Sequence, residues 1–479
     1  MKYFILTLIL ICFCSVQAYP QGRPAHDKPN IIFILADDLG YGDLGFNGQK
    51  YIETAVLNKM ADEGITFSQF YAGSPVCAPS RAALMTGMHT GHAYIRGNKE
   101  IDPEGQEPLA DSLVTLAELF KASGYQTGAF GKWGLGFVNS EGDPTRQGFD
   151  EFFGYNCQRQ SHRYYPGHLW KNQEKVEFPG NQPGHSGIYA PDIIQNEALD
   201  FIEKNRDKPF FLFLAYTLPH AELIVPEDSL FTKYKGIFPE APFRGNDYKI
   251  GHTITGYASQ AYPRAAYATM VHRLDSYVGQ VFGKLKSLGL DENTLVIFTS
   301  DNGPASEGGA DPVFFESSAK FRGIKRDVYE GGIRVPFVAR WPGKITPGTQ
   351  SSHISALWDI LPTLAELAGN QVTHSVDGIS MLPSLTATGT QRRHPYLYWE
   401  FHEQGGKQAL RKGHWKAVRL GVKEDPAAPI ALYNLEKDPS ETTDLAERHP
   451  DKVRELDQLM KEAHKESSLF PFIPPTTNP

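Results

Sequence analysis

The sequence has few cysteines, no excess of basic residues and no low-complexity tract. Its 479 residues contain four cysteines, and the 47 Lys and Arg are outnumbered by 55 Asp and Glu, so the formal net charge is -8. Because nucleic-acid binding depends on a positive surface, this balance argues against a nucleic-acid partner. The small number of cysteines excludes a disulfide-dense scaffold. We therefore expect a globular protein with one large domain and a smaller one.

The N-terminus has the pattern of a secretion signal, in which a charged start precedes a short apolar run and a small residue. Lys2 precedes the apolar residues 4–14, and Ala18 completes the pattern. The apolar run is too short to span a membrane as a helix. We therefore expect residues 1–18 to be a signal peptide, and the mature protein to be exported to the periplasm or secreted, without a membrane span.

Two cysteines, Cys77 and Cys157, follow the predicted signal peptide, so at most one disulfide is possible. Cys77 is of a reactive residue type, and the sequence after it predicts a helix. Pro79 suits a first helical turn, and Gly87 provides a C-terminal stop. Free N–H groups at such a helix start attract an anion, and Arg81 lies one turn further on. The alternative is a buried cysteine beside an ordinary helix cap.

Acidic and amide side chains follow two apolar runs of the sequence. Asp37 and Asp38 come directly after the first run, and Asp301 and Asn302 come after the second. Such runs are typical of strands buried on both faces of a parallel sheet, and ligands bind at the carboxyl ends of such strands. Adjacent carboxylates are costly without a cation, and Asp and Asn oxygens suit Ca²⁺. The alternative for each segment is a solvated turn.

Periodicity predicts the remaining elements. Amphipathic patterns predict helices over residues 112–122, 192–204, 267–288 and 450–465, and apolar runs predict strands over residues 125–130 and 209–216. Beyond about residue 385 short strands follow one another, over residues 395–400, 408–411, 415–419 and 431–435. The C-terminal part is therefore expected to be a small antiparallel sheet closed by a helix.

The segment Cys77-Ala78-Pro79-Ser80-Arg81, followed by Thr86-Gly87, resembles the signature of the type I sulfatases. Five further blocks are similar to blocks of that family in the same order: Asp37-Asp38, Gly131-Lys132-Trp133-Gly134-Leu135-Gly136, Pro219-His220, Asp301-Asn302-Gly303 and residues 321–332. The resemblance implies an α/β protein with the alkaline-phosphatase-like fold. A large mixed sheet between helices would form a catalytic domain over residues 27–385, and residues 390–479 would form a small C-terminal domain with an antiparallel sheet and a helix.

The same resemblance implies a sulfuric ester hydrolase. A maturation enzyme would convert Cys77 to formylglycine (3-oxoalanine), and the hydrate of its aldehyde would be the nucleophile. The implied ligands of one Ca²⁺ are Asp37, Asp38, residue 77, Asp301 and Asn302. The implied groups that neutralise the sulfate are Lys132, Lys325 and Arg81, and His220 would protonate the leaving oxygen.

Gly134 departs from the family pattern, which has a histidine at this place that contacts the formylglycine. A glycine has no side chain for that contact, so we expect another group to fill the space. His162 is our candidate, because an imidazole has a suitable pKa. The departure also keeps open a non-catalytic relative that only binds sulfated glycans, and a phosphate or phosphonate ester hydrolase on the same fold is the other alternative.

The segment 157–165 is polar and aromatic, as in a sugar pocket, although a solvated surface loop is equally compatible with its composition. Together with the export signal it favours a sulfated carbohydrate as substrate over a small aryl sulfate. The predicted substrate-binding residues are Arg159, His162 and Tyr164 from this segment, and His402 and Gln408 from the C-terminal part.

Overall fold

A computed structural model describes residues 28–181, 187–246 and 256–472. The predicted signal peptide, residues 1–18, lies outside the described residues. The strands, in chain order, are β1 Asn30–Ala36, β2 Ile65–Phe67, β3 Phe70–Tyr71, β4 Glu100–Ile101, β5 Gly105–Gln106, β6 Gln126–Lys132, β7 Glu151–Tyr155, β8 His168–Lys171, β9 Glu174–Glu177, β10 Phe210–Ala215, β11 Thr294–Ser300, β12 Phe337–Arg340, β13 Thr349–Ser351, β14 Ser355–Ala356, β15 Leu397–Phe401, β16 Lys407–Lys412, β17 Trp415–Leu420 and β18 Ile430–Asn434.

The helices are α1 Ala55–Asp62, α2 Cys77–Thr86, α3 Leu116–Ala122, α4 Gln158–Ser161, α5 Ala190–Lys204, α6 Ser229–Tyr234, α7 Pro263–Ser287, α8 Glu330–Ile333, α9 Ile360–Leu367, α10 Leu382–Thr386 and α11 Pro450–Ala463. Short 3-10 helices lie at Tyr41–Asp43, Gly45–Asn47, Asp291–Asn293, Glu307–Gly309, Leu357–Asp359 and Ala446–Arg448. Within the three described ranges, the length and apolar content of the helices fall short of what a membrane crossing requires.

A ten-stranded mixed sheet forms the centre of the protein, with the strand order β13-β2-β12-β11-β1-β10-β6-β7-β8-β9. Its middle strands β11, β1, β10, β6 and β7 are parallel, whereas β12 and β8 pair with their neighbours in the antiparallel sense. In β1, Phe33 lies opposite Phe213 on one side and Ile297 on the other. The predicted large mixed sheet is confirmed, and the middle strands place their carboxyl ends along one edge.

The two faces of the sheet each carry a hydrophobic core. Ile32 and Ile34 of β1 belong to the core that contains residues of α5 and α7, and Ile31, Phe33 and Leu35 belong to the core that contains residues of α2, α3 and α9. Successive side chains of a strand point to opposite faces, so a strand covered by helices on both faces must be apolar at every position. This explains the unbroken apolar run that precedes Asp37.

The predicted small C-terminal sheet is also confirmed. Strands β15, β16, β17 and β18 form an antiparallel sheet in that order. Leu410 and Leu432 of this sheet pack against Leu456 and Met460 of α11. Buried charges link the sheet to the larger part, since Lys416 Nζ lies 2.9 Å from an oxygen of Glu330 and 2.9 Å from an oxygen of Glu441.

Several helices begin at other residues than the sequence periodicity predicts. Helix α3 begins at Leu116 rather than at 112, because Thr115 caps it: the Glu118 N–H donates to Thr115 Oγ1, and the Thr115 N–H donates to Glu118 Oε2. This reciprocal pair is a capping box. Helices α5 and α7 begin two and four residues earlier than expected, each with a proline in its first turn. Proline is favoured at that position because its missing N–H has no helical partner there.

Candidate active site

Cys77 is the first residue of α2, where the chain changes from the extended conformation of Val76 to a helix. The Ala78 N–H donates to Asn98 Oδ1 at 3.1 Å, so the side chain of another segment satisfies one of the free amides at the helix start. The helix ends where Gly87 adopts a φ of 70°, as predicted. Every residue of α2 is buried. The expectation that Cys77 lies at a helix N-terminus is confirmed.

The carboxyl ends of three sheet strands bring charged side chains to this helix start. Asp37 and Asp38 follow β1, Asp301 and Asn302 follow β11, and Lys132 is the last residue of β6. All five are at most 1 % exposed. Asp38 adopts a left-handed φ of 63°, and its N–H donates to Asp301 Oδ1 at 3.2 Å. A strained backbone at a non-glycine residue is typical of functional sites.

Each of the three carboxylates has a cation within 2.7 Å, and Arg81 Nη2 also lies 3.7 Å from Asp37 Oδ1. The pairs are Lys132 Nζ with Asp37 Oδ2 at 2.6 Å, Lys325 Nζ with Asp38 Oδ2 at 2.7 Å, and Arg81 Nη2 with Asp301 Oδ2 at 2.7 Å. Burial alone would lower the pKa of Lys325, but Asp38 and neighbouring negative groups outweigh it and raise that pKa well above its ordinary value. Because a buried charge without a partner costs several kcal/mol, about 3–5 when one partner is removed, the six groups depend on one another.

The Cys77 thiol donates a hydrogen bond to Asp37 Oδ1, with 3.3 Å between Sγ and the oxygen. Burial raises the pKa of Cys77 well above its usual range, and the negative charge of Asp37 raises it further. The thiol is therefore protonated at neutral pH, and a protonated thiol is a weak nucleophile. Cys157 is also free, so neither cysteine of the described chain forms a disulfide.

His220 lies against this cluster, after strand β10. Its Nε2 is 3.0 Å from Lys325 Nζ and 3.4 Å from Asp38 Oδ2, and its Nδ1 contacts the carbonyl oxygen of Ala221. Burial lowers the pKa of His220 well below its ordinary value, and the charge of Lys325 lowers it further. The neutral imidazole thus donates from Nδ1 to Ala221, and Nε2 accepts a hydrogen bond from the Lys325 ammonium group.

The same edge has the ligands of a cation site. Asp37, Asp38, Cys77 and His220 each place a ligand atom so that all four lie within 4.8 Å of one another. Asn302 Nδ2 donates to Asp38 Oδ1 at 2.7 Å, whereas Asn302 Oδ1 is buried without a hydrogen-bond partner in the described chain. A buried acceptor without a partner is unfavourable, and a cation would satisfy it. Carboxylate and amide oxygens suit a hard divalent cation, so these residues fit one.

A second cluster, formed by His89, His92 and Asp377, has a different hydrogen-bonding pattern. His89 Nδ1 accepts from the Gly91 N–H at 3.1 Å, which leaves the ring proton on Nε2. A protonated nitrogen has no lone pair for a metal. His92 Nδ1 lies 2.8 Å from Asp377 Oδ1, at hydrogen-bond distance. We interpret this cluster as a structural hydrogen-bond network.

The predicted substrate-binding residues of segment 157–165 have three different positions. His162 stacks on His220, with ring centroids 4.5 Å apart and an interplanar angle of 11°. Arg159 is partly exposed and donates to the Pro103 carbonyl oxygen at 2.7 Å. Tyr164 is fully buried, and its hydroxyl is 2.8 Å from the carbonyl oxygens of both Thr217 and His220. The prediction that Tyr164 binds substrate is therefore wrong, because this side chain holds the segment that carries His220.

The space beside Gly134 is filled by Gln158. Its Nε2 lies 2.2 Å from the position that a Cβ on residue 134 would take. The prediction that His162 fills this space is wrong, because its ring lies on His220 instead. Sequence reasoning missed Gln158, although it follows the end of β7 as closely as other site residues follow their strands. Its position shortly after a strand is a signal shared with many loop residues, and only the register of β6 and β7 places it beside Gly134.

The two predicted C-terminal residues belong to a buried network around Glu400. His402 Nε2 is 3.0 Å from Glu400 Oε2, and His464 Nδ1 contacts Glu400 Oε1. Gln408 is 6 % exposed, and its amide donates to the Tyr398 hydroxyl at 2.7 Å. The substrate contact of Gln408 stays a prediction. His402 Nδ1 is buried without a partner in the described chain, and its substrate contact stays a prediction.

The chain is similar to known proteins in both sequence and structure. The sequence model of the family described as Sulfatase matches residues 29–370, and the model described as N-sulphoglucosamine sulphohydrolase, C-terminal, matches residues 323–468. The N-acetylgalactosamine-6-sulfatase of Mus musculus is 33% identical over 437 residues, which cover 85% of this chain and 75% of that protein. The arylsulfatase A of Bos taurus is 33% identical over 481 residues, which cover 93% of this chain and 89% of that protein.

A solved structure with a similar fold is that of Ps i-CgsB in complex with k-i-k-neocarrahexaose. Its TM-score is 0.74 and its sequence identity 29%, and the match covers 91% of this chain and 92% of that one.

The buried network predicts how stability depends on pH. Burial alone would raise the pKa of Glu400, but hydrogen bonds from His402 and His464 outweigh it and lower the pKa from 4.5 to about 2. Because the folded pKa is the lower one, the ionised carboxylate contributes stability above pH 4.5, of about 3 kcal/mol, and this is lost as the pH falls toward 2. Urea unfolding of the wild type and Glu400→Gln should show a stability difference that narrows between pH 6 and pH 3. A stability difference that stays constant between pH 6 and pH 3 would contradict the lowered pKa of Glu400.

Proposed function

Because this chain belongs to the sulfatase family and is a sulfuric ester hydrolase, we propose that its substrate is a sulfated carbohydrate. The observation that carries the proposal is the buried edge at which three cations, His220 and residue 77 converge on one helix start. Two of the similar proteins support a carbohydrate substrate: one is named N-acetylgalactosamine-6-sulfatase, and the structure of the other, Ps i-CgsB, contains k-i-k-neocarrahexaose. We also propose export of the protein, as the N-terminal sequence predicts.

We propose that residue 77 acts as formylglycine, made from Cys77 by a maturation enzyme. The protonated and buried thiol supports this, because an unmodified Cys77 is a weak nucleophile. The hydrated aldehyde would supply one hydroxyl for attack on sulfur, with the sugar hydroxyl as leaving group, and a second hydroxyl that would permit release of sulfate. Asp37, whose carboxylate already accepts the thiol hydrogen at 3.3 Å, would accept a hydrogen bond from a hydroxyl at the same place.

We propose that one Ca²⁺ is held by the following oxygen ligands: Asp37, Asp38, residue 77, Asp301 and Asn302. The unpartnered Oδ1 of Asn302 supports the assignment. The ion supplies positive charge to the sulfate oxygens when it is bound. Arg81 orients this set, since its guanidinium donates to Asp301 at 2.7 Å and to the Lys132 carbonyl oxygen at 2.6 Å.

The remaining residues neutralise the ester and provide a proton. Lys132 and Lys325, which are both buried, bring positive charge to the anionic ester group, and charges act more strongly in a buried site than in water. His220 is neutral before substrate binds, and its Nε2 accepts from Lys325 at 3.0 Å. A bound anion favours the protonated imidazole, so the His220–Lys325 pair can deliver a proton to the leaving oxygen.

The proposed function is tested by sulfate release. The purified protein should release free sulfate from at least one member of a panel of sulfated glycans, faster than it releases phosphate from matched phosphate esters. Peptide mass spectrometry of the active protein should show an aldehyde at residue 77, and Cys77→Ala should abolish release while the unfolding free energy changes little. An intact thiol in fully active protein, or turnover of the phosphate esters alone, would overturn the proposal.

Metal analysis tests the cation site. Asp301→Asn removes one negative ligand and should lower both the calcium content and the rate of sulfate release. Asp43→Asn is the matched control, because Asp43 is equally buried but is held by Ser317, Tyr267 and the Gly40 N–H. It should retain one calcium ion per chain. Equal calcium content in both variants would show that the site is misassigned.

The role of His220 is tested by varying the leaving group. His220→Ala should lower kcat on a sugar sulfate by about 10²–10⁴-fold, because a sugar alcohol leaves poorly without a proton. The same variant should lose much less activity on a nitrophenyl sulfate, whose phenolate leaves without protonation. Steady-state kinetics on the two substrates measures the difference. An equal loss on both would assign His220 to binding rather than to proton transfer.

A further inference from the structure

Two buried amide side chains near the site have no visible function in the fold. Asn156 is 1 % exposed, and neither its Nδ2 nor its Oδ1 has a hydrogen-bond partner among the described residues. Gln158 is 4 % exposed, and its Nε2 likewise has no partner there. A buried donor or acceptor without a partner costs about 1–3 kcal/mol. Two such side chains within three residues therefore need an explanation.

Both amides lie at the catalytic edge of the sheet. Strand β7 pairs in parallel with β6 so that Tyr155 lies opposite Lys132, and Asn156 follows directly. The Gly134 N–H donates to the Asn156 carbonyl oxygen at 2.9 Å. The point beside Gly134 that a Cβ would occupy is 2.2 Å from Gln158 Nε2 and 3.9 Å from Arg81 Cδ. The Gln158 amide and the Arg81 side chain, which pairs with Asp301, thus both border the space beside Gly134.

The main chain around Gln158 is held firmly, although the end of its side chain is not. The Gln158 N–H donates to Gln106 Oε1 at 3.2 Å, and the Ser161 hydroxyl donates to the Gln158 carbonyl oxygen at 2.6 Å. These main-chain hydrogen bonds fix where the side chain begins, while its Nε2 has no hydrogen-bond partner among the described residues. The fold thus brings a buried amide donor to this edge of the sheet and leaves it available to a ligand.

Gly134 keeps the space for this amide open. Its φ of 75° is unfavourable for other residues, and a Cβ at 2.2 Å from Nε2 would displace the Gln158 side chain. Gln158 can therefore adopt this conformation only when residue 134 is a glycine. The pair acts as one unit, in which the glycine makes room for the amide.

We propose that the side-chain amides of Gln158 and Asn156 bind oxygen atoms of the anionic ester group, and of the sulfate that is released from it. This inference rests on the proposed function and adds two uncharged donors to the charged residues Lys132 and Lys325. An uncharged donor orients an oxygen without adding to the charge that holds the anionic product. Two amides in place of a further cation therefore favour release of sulfate after each turnover.

Inorganic sulfate is the probe for this inference. Gln158→Leu removes the amide but keeps similar volume, so the variant should be as stable as the wild type or more stable, since an unpartnered buried donor is lost. Its inhibition constant for inorganic sulfate should rise about 10-fold or more, as expected for loss of a hydrogen bond to an anion. Asn156→Leu should likewise keep or gain stability and show a higher inhibition constant for inorganic sulfate.

Gln195→Leu is the matched control. Gln195 is also buried, but its amide donates to the Tyr277 carbonyl oxygen at 3.1 Å and accepts from the Tyr216 hydroxyl. This variant should lose thermal stability and keep its inhibition constant for sulfate. Gln158→Glu adds a third readout, because its carboxylate should repel sulfate at pH 8 and regain affinity near pH 5 as it is protonated.

Two results would overturn the inference, and they differ from each other. If the wild type is inhibited by sulfate and Gln158→Leu keeps the same inhibition constant while it loses stability, the amide is structural and the proposed function stands. If the wild type neither releases sulfate from any glycan nor is stabilised by inorganic sulfate, the proposed function fails and this inference fails with it.

Discussion

The site depends on one electrostatic constraint, namely that three buried carboxylates must each face a buried cation. The partners come from different parts of the chain: Lys132 ends β6, Arg81 lies on α2, and Lys325 lies in a loop. Removing any one of the six would leave an uncompensated charge in a medium where such charges are costly. The same ion pairs therefore fix the positions of α2, the loop with Lys325 and the sheet edge relative to one another, and also provide the positive charge at the site.

The strands that carry the acidic residues of the site could be predicted from the sequence. Apolar runs that end in Asp37 and Asp301 indicate parallel strands with ligands at their carboxyl ends, and the sheet order brings both ends together. The start of α3 was predicted four residues too early, because the apolar periodicity extends beyond the Thr115–Glu118 capping box that begins the helix. The position of the strand ends depends on local sequence and on general rules of sheet topology.

Other features depend on tertiary contacts that local sequence does not show. Tyr164 and Gln408 belong to residue types common in sugar pockets, but their side chains point into the protein, where a carbonyl oxygen or a hydroxyl binds them. The importance of Gln158 becomes visible only when the register of β6 and β7 places it beside Gly134. Residue type predicts what a side chain is able to do, whereas the fold determines which groups it meets.

The separation of the paired residues along the chain has a consequence for biosynthesis. Arg81 and Asp301 are 220 positions apart, so at a synthesis rate of about 5–20 residues per second α2 emerges from the ribosome roughly ten to forty seconds before its partner strand. During that interval the segment that carries Asp301 is not yet synthesised, and Cys77, which is only 2 % exposed in the folded protein, is not yet enclosed. The proposed maturation enzyme would therefore have its best access to Cys77 on the nascent chain, and the rate of translation would set how long that access lasts.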